Sequence, residues 1–298
     1  MPTTYSHIAA NKRKSTFLVF IFIVFILAIG WVFGELTEFG YAGVVIAVVI
    51  AFIMTLVSFY SGDKIALWST GAKPITKEQN PYVYRMVENL SITAGTPVPK
   101  IYIINDPSLN AFATGRDPEH ASIALTTGII ENLENEELEG VIAHELSHIK
   151  NYDIRLMMLV LVLVGIAALM GNWFFRISLY GGGGRRSSRG GAQGIILIIG
   201  LVFLILSPII ANLIKLAVSR KREFLADASG ALLTRYPEGL AKALEKIDMQ
   251  AKPMAKASNA TAHLFISNPF GAKAKKGFTR LLSTHPPIED RIKALRGM

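Results

Sequence analysis

Apolar residues along this chain gather into four runs: Phe17 to Phe33, Tyr41 to Tyr60, Ile154 to Phe175 with Arg155 at its edge, and Ile195 to Ala217. A helix needs about 20 apolar residues to cross roughly 30 Å of hydrocarbon, and each run meets or approaches that length. The pattern predicts four transmembrane helices, the first the shortest and the second the cleanest. Lys12, Arg13 and Lys14 precede the first run, as in a secretory signal. Its core is long, rich in Phe and Ile, and lacks a small-x-small cleavage site, so it reads as a retained anchor. Pro208 predicts a kink in the fourth.

The polar remainder forms two blocks, Ser61 to Asp153 and Ser219 to Met298. The first predicts a helix over Lys77 to Thr93, a strand over Lys100 to Ile104, and a turn at Asn105-Asp106-Pro107. A short strand through Leu109 to Thr114, a strand over Ala121 to Thr126 and a helix over Glu134 to Lys150 follow. The second predicts helices over Ser219 to Thr234 and Glu238 to Met249. Neither block is a comfortable domain alone. The expected architecture is mainly α and multi-pass: an N-terminal transmembrane hairpin (1–60), half of an α+β domain (61–153), a second hairpin (154–218) and the other half (219–298).

The chain carries a net charge of +9 and no cysteine. Without cysteine there are no disulfides and no thiolate ligands, so any metal must sit on His, Glu and Asp. Lys12, Arg13 and Lys14 precede the first run, whereas the Gly34 to Gly40 turn carries only Glu35 and Glu38. Both polar blocks are rich in Lys and Arg, so both blocks and both termini are expected in the cytosol. Against this, the loop Phe175 to Gly194 would place Arg176, Arg185, Arg186 and Arg189 outside; if the third and fourth runs do not cross fully, that loop is cytosolic. Nothing resembles a nucleic-acid module, so the basic balance points to a membrane surface. Lys273, Lys275 and Lys276, with Lys252 and Lys256, fit a solvated loop better than a lipid contact. His7, His120 and His263 are expected in solvent.

The chemistry lies in His144-Glu145-Leu146-Ser147-His148. On a helix, histidines four apart share one face and can ligate a single ion, and the intervening glutamate can act as a general base on a water. The helix is predicted independently of the motif, because Leu138, Val141, Ile142 and Ile149 recur at helical spacing. Glu136, Glu137 and Glu139 suit its N-terminal dipole. A catalytic metal needs a third protein ligand and an open position. Glu223 and Asp227, four apart just after the fourth run, share a helix face. A hairpin of two spans would return Glu223 to His144 and His148. Asp227 then suits a hydrogen bond to a ligating histidine. The alternative is that both acids pair with Arg220 and Arg222.

His144-Glu145-x-x-His148 before one span, Glu223-x-x-x-Asp227 after the next, Asn110-Ala111-Phe112-Ala113 upstream and Thr284-His285-Pro286-Pro287 with Arg291 near the end together resemble the HtpX family. These are heat-shock membrane metalloproteases related to the CAAX prenyl endoproteases. The resemblance covers essentially the whole chain. It implies a zincin-like zinc endopeptidase of the bacterial plasma membrane, with membrane and unfolded proteins as substrates in quality control. By the same resemblance His144, His148 and Glu223 match the zinc ligands and Glu145 the catalytic base. Asn110 to Ala113 then reads as a strand pairing with substrate or as an ordinary edge strand. His285 reads as a donor to the developing oxyanion, with Arg291 ordering it or the substrate carbonyl, or as a turn residue before two prolines. A prenyl-peptide endoprotease needs a large lipid chamber, for which four spans are few. A non-catalytic metal scaffold would not need Glu145.

Overall fold

A computed structural model describes residues 4–36, 40–162, 220–258, 260–271 and 286–298. Helices α1 (Thr4–Leu36) and α2 (Tyr41–Thr70) pack against each other, with Phe22, Ile23, Ile26 and Leu27 meeting Ala47 and Ala51. The alanines let the two backbones approach. Phe17, Phe20, Val24, Val45, Val49, Phe52 and Ile53 are left exposed. So large a contiguous apolar surface is tolerated in lipid and not in water. Among the described residues, one helix, Val44–Thr70, has the length and composition to cross a membrane. The first predicted span lies within α1. The third begins as a helix over residues 153–162, here α6, and its remainder and the whole fourth run fall outside the described residues.

The apolar run that defines the second span stops at Tyr60, but α2 continues to Thr70, where Gly71 takes a left-handed conformation (φ 73°) and returns its N–H to Leu67 and Trp68. This extension carries Ala66 and Leu67 beneath a four-stranded sheet. The strands are β1 (Lys73–Pro74), β2 (Lys100–Ile104), β3 (Ala111–Gly115) and β4 (Ala121–Thr126), in the order β1-β2-β4-β3. Strand β4 runs parallel to β2 and antiparallel to β3. Every β3 and β4 residue is buried, as expected for strands covered on both faces. On one face Ile104, Phe112 and Ala124 meet α2 and Met157 and Leu161 of α6.

The other face receives α5 (Asn135–Lys150), which follows α3 (Pro81–Ala94) and the short α4 (Thr127–Asn132). Leu138, Val141, Ile142, Leu146 and Ile149 of α5 share a core with Ala111, Ala113, Ile123 and Leu125. Glu137 begins α5 by accepting from the Glu134 N–H at 2.8 Å and pairing with Lys246 at 2.7 Å. Helices α7 (Arg220–Thr234), α8 (Pro237–Met249) and α9 (Ile288–Arg296) complete this layer. A Cβ on Gly140 would lie 2.7 Å from the Leu240 nitrogen, and one on Gly230 would lie 3.0 Å from the His144 nitrogen. The missing side chains therefore let α8 and α7 close on the backbone of α5. The molecule is thus mainly helical with a small mixed sheet.

Two expectations need correction. Lys252 and Lys256 are exposed as expected, but the chain around them is not wholly solvated, because Met254, Leu264, Phe265 and Ile266 are buried against the sheet, and the Ile266 N–H donates to the Ala111 carbonyl at 2.9 Å. His263 is likewise buried, with Nε2 2.9 Å from the Met157 carbonyl. The consecutive apolar residues Leu264, Phe265 and Ile266 carry this signal, but a run of three is short beside the lysines that flank it. Lys273, Lys275 and Lys276 lie outside the described residues.

Candidate active site

Helix α5 presents His144 and His148 on one face, and α7, packed across it, presents Glu223 and Asp227. All four side chains and Glu145 are buried. The two Nε2 atoms stand 3.2 Å apart, Glu223 Oε1 lies 3.6 Å from His148 Nε2, and Glu223 Oε2 lies 3.9 Å from His144 Nε2. Ligand atoms bound at zinc distances in a tetrahedron are separated by about 3.3 Å. This trio is a group of side chains that could hold one metal ion.

Each histidine is held from behind by a carboxylate. His144 Nδ1 lies 2.9 Å from Asp227 Oδ1, and His148 Nδ1 lies 3.0 Å from Asp153 Oδ2. A proton on Nδ1 facing a carboxylate leaves the Nε2 lone pair bare. With both protons on Nδ1, the two Nε2 lone pairs converge at 3.2 Å on a point that one cation can occupy. The charges agree. With Glu145, Asp153, Glu223 and Asp227 ionised and both imidazoles neutral, the buried guanidiniums Arg222 and Arg291 oppose only two of the four negative charges, a balance that a divalent ion would complete. The residues present therefore fit a divalent ion.

Burial pushes the Glu145 carboxyl up to about 7; His148 opposes this, the neighbouring Glu223 charge adds to it, and the main chain at Ala113 and the Arg291 guanidinium act the other way. Burial also disfavours charge on His148, but Asp153, Glu223 and Glu145 outweigh it and raise the imidazole to about 9. For His144 burial prevails over Asp227 and the shift is downward. Asp227 is buried too, yet Arg291 holds it down at about 2.

Arg291 joins the site from α9. It is fully buried, its Nε and Nη2 grip both oxygens of Asp227 at 2.8 and 2.7 Å, and Nη1 donates to the Ile266 carbonyl at 3.3 Å. Held in this way, the guanidinium orders Asp227 and, through it, His144, and its Nη1 also lies 3.9 Å from Glu223 Oε2. Asn110 differs from its expected place, because its side chain is tied to the Ser267 N–H and carbonyl and to the Ala111 N–H. Phe112 points to the opposite face of the sheet and packs edge-on against Phe265. What adjoins Glu145 from β3 is the main chain at Ala113, which favours the charged carboxylate. His285 falls outside the described residues. Sequence reasoning missed Asp153, whose signal was an acid directly after the motif helix; Arg222, read there only as an alternative partner for Glu223 and Asp227, lies 3.5 Å from Asp153.

Comparison with known proteins agrees with this geometry. Residues 77–298 match the model of peptidase family M48. The chain is 45% identical to a protease HtpX homolog of Dictyoglomus thermophilum over 296 residues, covering 99% of this chain and 95% of that one. It is 44% identical to a protease HtpX homolog of Caldanaerobacter subterraneus subsp. tengcongensis over 298 residues, covering 99% and 98%. The crystal structure of S. mikatae Ste24p shares the fold at a TM-score of 0.50 and 20% identity, over 92% of this chain and 62% of that longer one. With a match over most of its length and relatives this similar end to end, the chain belongs to peptidase family M48 and is a metalloprotease.

Proposed function

We propose that this protease is a zinc endopeptidase anchored in a bacterial plasma membrane, cutting misfolded membrane proteins and unfolded chains at the cytosolic face. One observation carries the chemistry. Two histidines oriented by carboxylates converge with Glu223 on a point that Glu145, from the same helix, adjoins. His144, His148 and Glu223 would hold the ion. When bound, zinc supplies Lewis acidity, making a water a nucleophile at neutral pH and polarising a carbonyl. Glu145 takes the proton from the attacking water on its carboxylate and returns it to the leaving amine. Asp227 and Asp153 keep both imidazoles in one tautomer throughout.

The substrate would lie along β3. In the β3–β4 ladder Asn110 bonds inward, its carbonyl accepting from the Thr126 N–H, so by alternation Ala111, Ala113 and Gly115 turn their main-chain groups outward. Ala111 is taken by Ile266. The outward carbonyl of Ala113 and N–H of Gly115 continue the same edge and suit an extended peptide added as a further strand. Main-chain recognition of this kind ignores side-chain identity and favours unfolded segments. Further membrane spans, from the third and fourth apolar runs, would close the hairpin that returns α7 to α5.

The test is cleavage of an unfolded reporter by detergent-purified wild type and Glu145→Gln, with chelator and then with zinc restored. Wild type should cut, lose activity to chelator and regain it with zinc, whereas Glu145→Gln should bind zinc and stay inactive. A zinc-replete Glu145→Gln protein with full activity would remove the base assignment.

A further inference from the structure

The loop that leaves the metal-binding helix is held by the N-terminal helix. Asn11, on α1 before the apolar run, is buried, and its Nδ2 donates to the Asn151 carbonyl at 2.9 Å and to Asp153 Oδ1 at 2.8 Å. Both partners are acceptors, so the amide must turn its NH2 toward them, and its two protons are both used. Asn151 closes α5 by donating its own N–H to the Ser147 carbonyl at 3.0 Å. Asp153 uses its other oxygen on His148 Nδ1 at 3.0 Å. Tyr152, between them, has φ 60°, a left-handed conformation that a bulky residue adopts only when its surroundings impose it. Lys12, next to Asn11, places its ammonium 4.3 Å from the centre of the Tyr152 ring. All three residues of the strained loop thus meet one turn of α1.

We infer that Asn11 is a positioning residue for the metal site, fixing Asp153 and thereby the His148 imidazole, so that the site is complete only when the N-terminal helix is docked. The inference rests on His144, His148 and Glu223 being metal ligands. Without Asn11 the Asp153 carboxylate keeps Arg222, at 3.5 Å, as a partner pulling on the same oxygen, and the strained loop loses a clamp on each side of Tyr152. The carboxylate is then free to rotate away from Nδ1. Weaker orientation of a ligating histidine lowers metal affinity, which for direct partners of ligands amounts to about 10- to 100-fold. One bond further out, Asn11→Ala should cost about 3- to 10-fold.

The experiment is zinc affinity by competition with a chromogenic chelator, on the full chain in detergent, with the absorption spectrum of the cobalt-substituted protein as a second readout. Asn11→Ala should weaken zinc binding and alter the cobalt spectrum. Asn11→Asp, of the same shape but facing Asp153 with a second carboxylate, should weaken it further. In an Asp153→Ala background, Asn11→Ala should cost nothing more, because its route is gone. Leu18→Ala, a buried position two turns along the same helix, controls for general loosening of α1. Unchanged affinity in Asn11→Ala, a full additional loss in the Asp153→Ala background, or an equal loss in Leu18→Ala would each overturn the inference while leaving the metal site standing. A wild-type protein that takes up no metal would overturn the metal reading and this inference with it.

Discussion

At the scale of single residues, the site is a lattice of charges whose members hold each other in place. Arg291 and Asp227 form a fully buried bidentate pair, and removing one partner of such a pair strands the other in a medium that cannot solvate it. Arg291→Met should therefore destabilise the protein by about 3–5 kcal/mol. Adding Asp227→Asn should restore part of this, as thermal unfolding in detergent would show. A milder version operates at Asp106, away from the metal site. Its burial favours the neutral form, but hydrogen bonds from Ser108 and the Ala255 N–H outweigh it and hold the carboxyl below its usual range. A carboxylate depressed on folding contributes stability above its unfolded value, near pH 3.9, and loses it as pH falls through the folded value. Asp106→Asn should cost about 1 kcal/mol at pH 7, with wild type and variant converging below about pH 4. A gap unchanged between pH 7 and pH 3 would refute the assignment.

At the scale of elements, the metal site is made by how closely three helices approach, and two glycines set that distance. Alanine is worth about 1 kcal/mol more than glycine inside a helix, so glycines at 140 and 230 run against local preference. Packing overrides it. Gly140→Ala should cost roughly 1–3 kcal/mol net, because the new methyl meets the Leu240 backbone and α8 must shift, and chemical denaturation would measure it. Glycine gives no periodic signal, so these contacts were illegible in the sequence. What was legible is what is written locally. β2 and β4 lie over Lys100–Ile104 and Ala121–Thr126 as predicted, α5 begins one residue late, and α8 differs from its expected start by one. The helix expected from Lys77 starts at Pro81, because Asn80 caps it by accepting from the Val83 N–H. α9 went unread since its pattern is short, and β1 since two residues carry no period. In the site, spacing alone placed the two histidines on one face and the acids of 223 and 227 on another. Asp153 and Asn11 were missed because their meaning depends on a left-handed Tyr152 and on a helix 140 residues earlier in the chain.

At the scale of the whole molecule, the sheet separates two environments. One layer is the apolar hairpin of α1 and α2, with its outer face bare; the other is α5 with α7 and α8, in which the metal cluster is buried. Because α2 passes without interruption from the exposed apolar stretch into the underside of the sheet, a continuous helix and not a tether joins that stretch to the layer below the site. Such a joint suits substrates that are themselves embedded, whose loops are presented at a constant distance from the lipid. In the orientation proposed above, which follows the Lys and Arg bias, the peptidase layer and the N-terminal end of α1 that braces it would face the cytosol. The absence of cysteine makes this orientation directly measurable, since any introduced thiol is the only one in the chain. Tyr41, 90% exposed at the start of α2, lies at the far end of the hairpin from the sheet, and Lys100 is exposed at the start of β2. In intact cells an impermeant maleimide should label Tyr41→Cys and spare Lys100→Cys; after the membrane is opened both should react. The reverse pattern would put the peptidase layer outside, and with it every cytosolic substrate would be excluded.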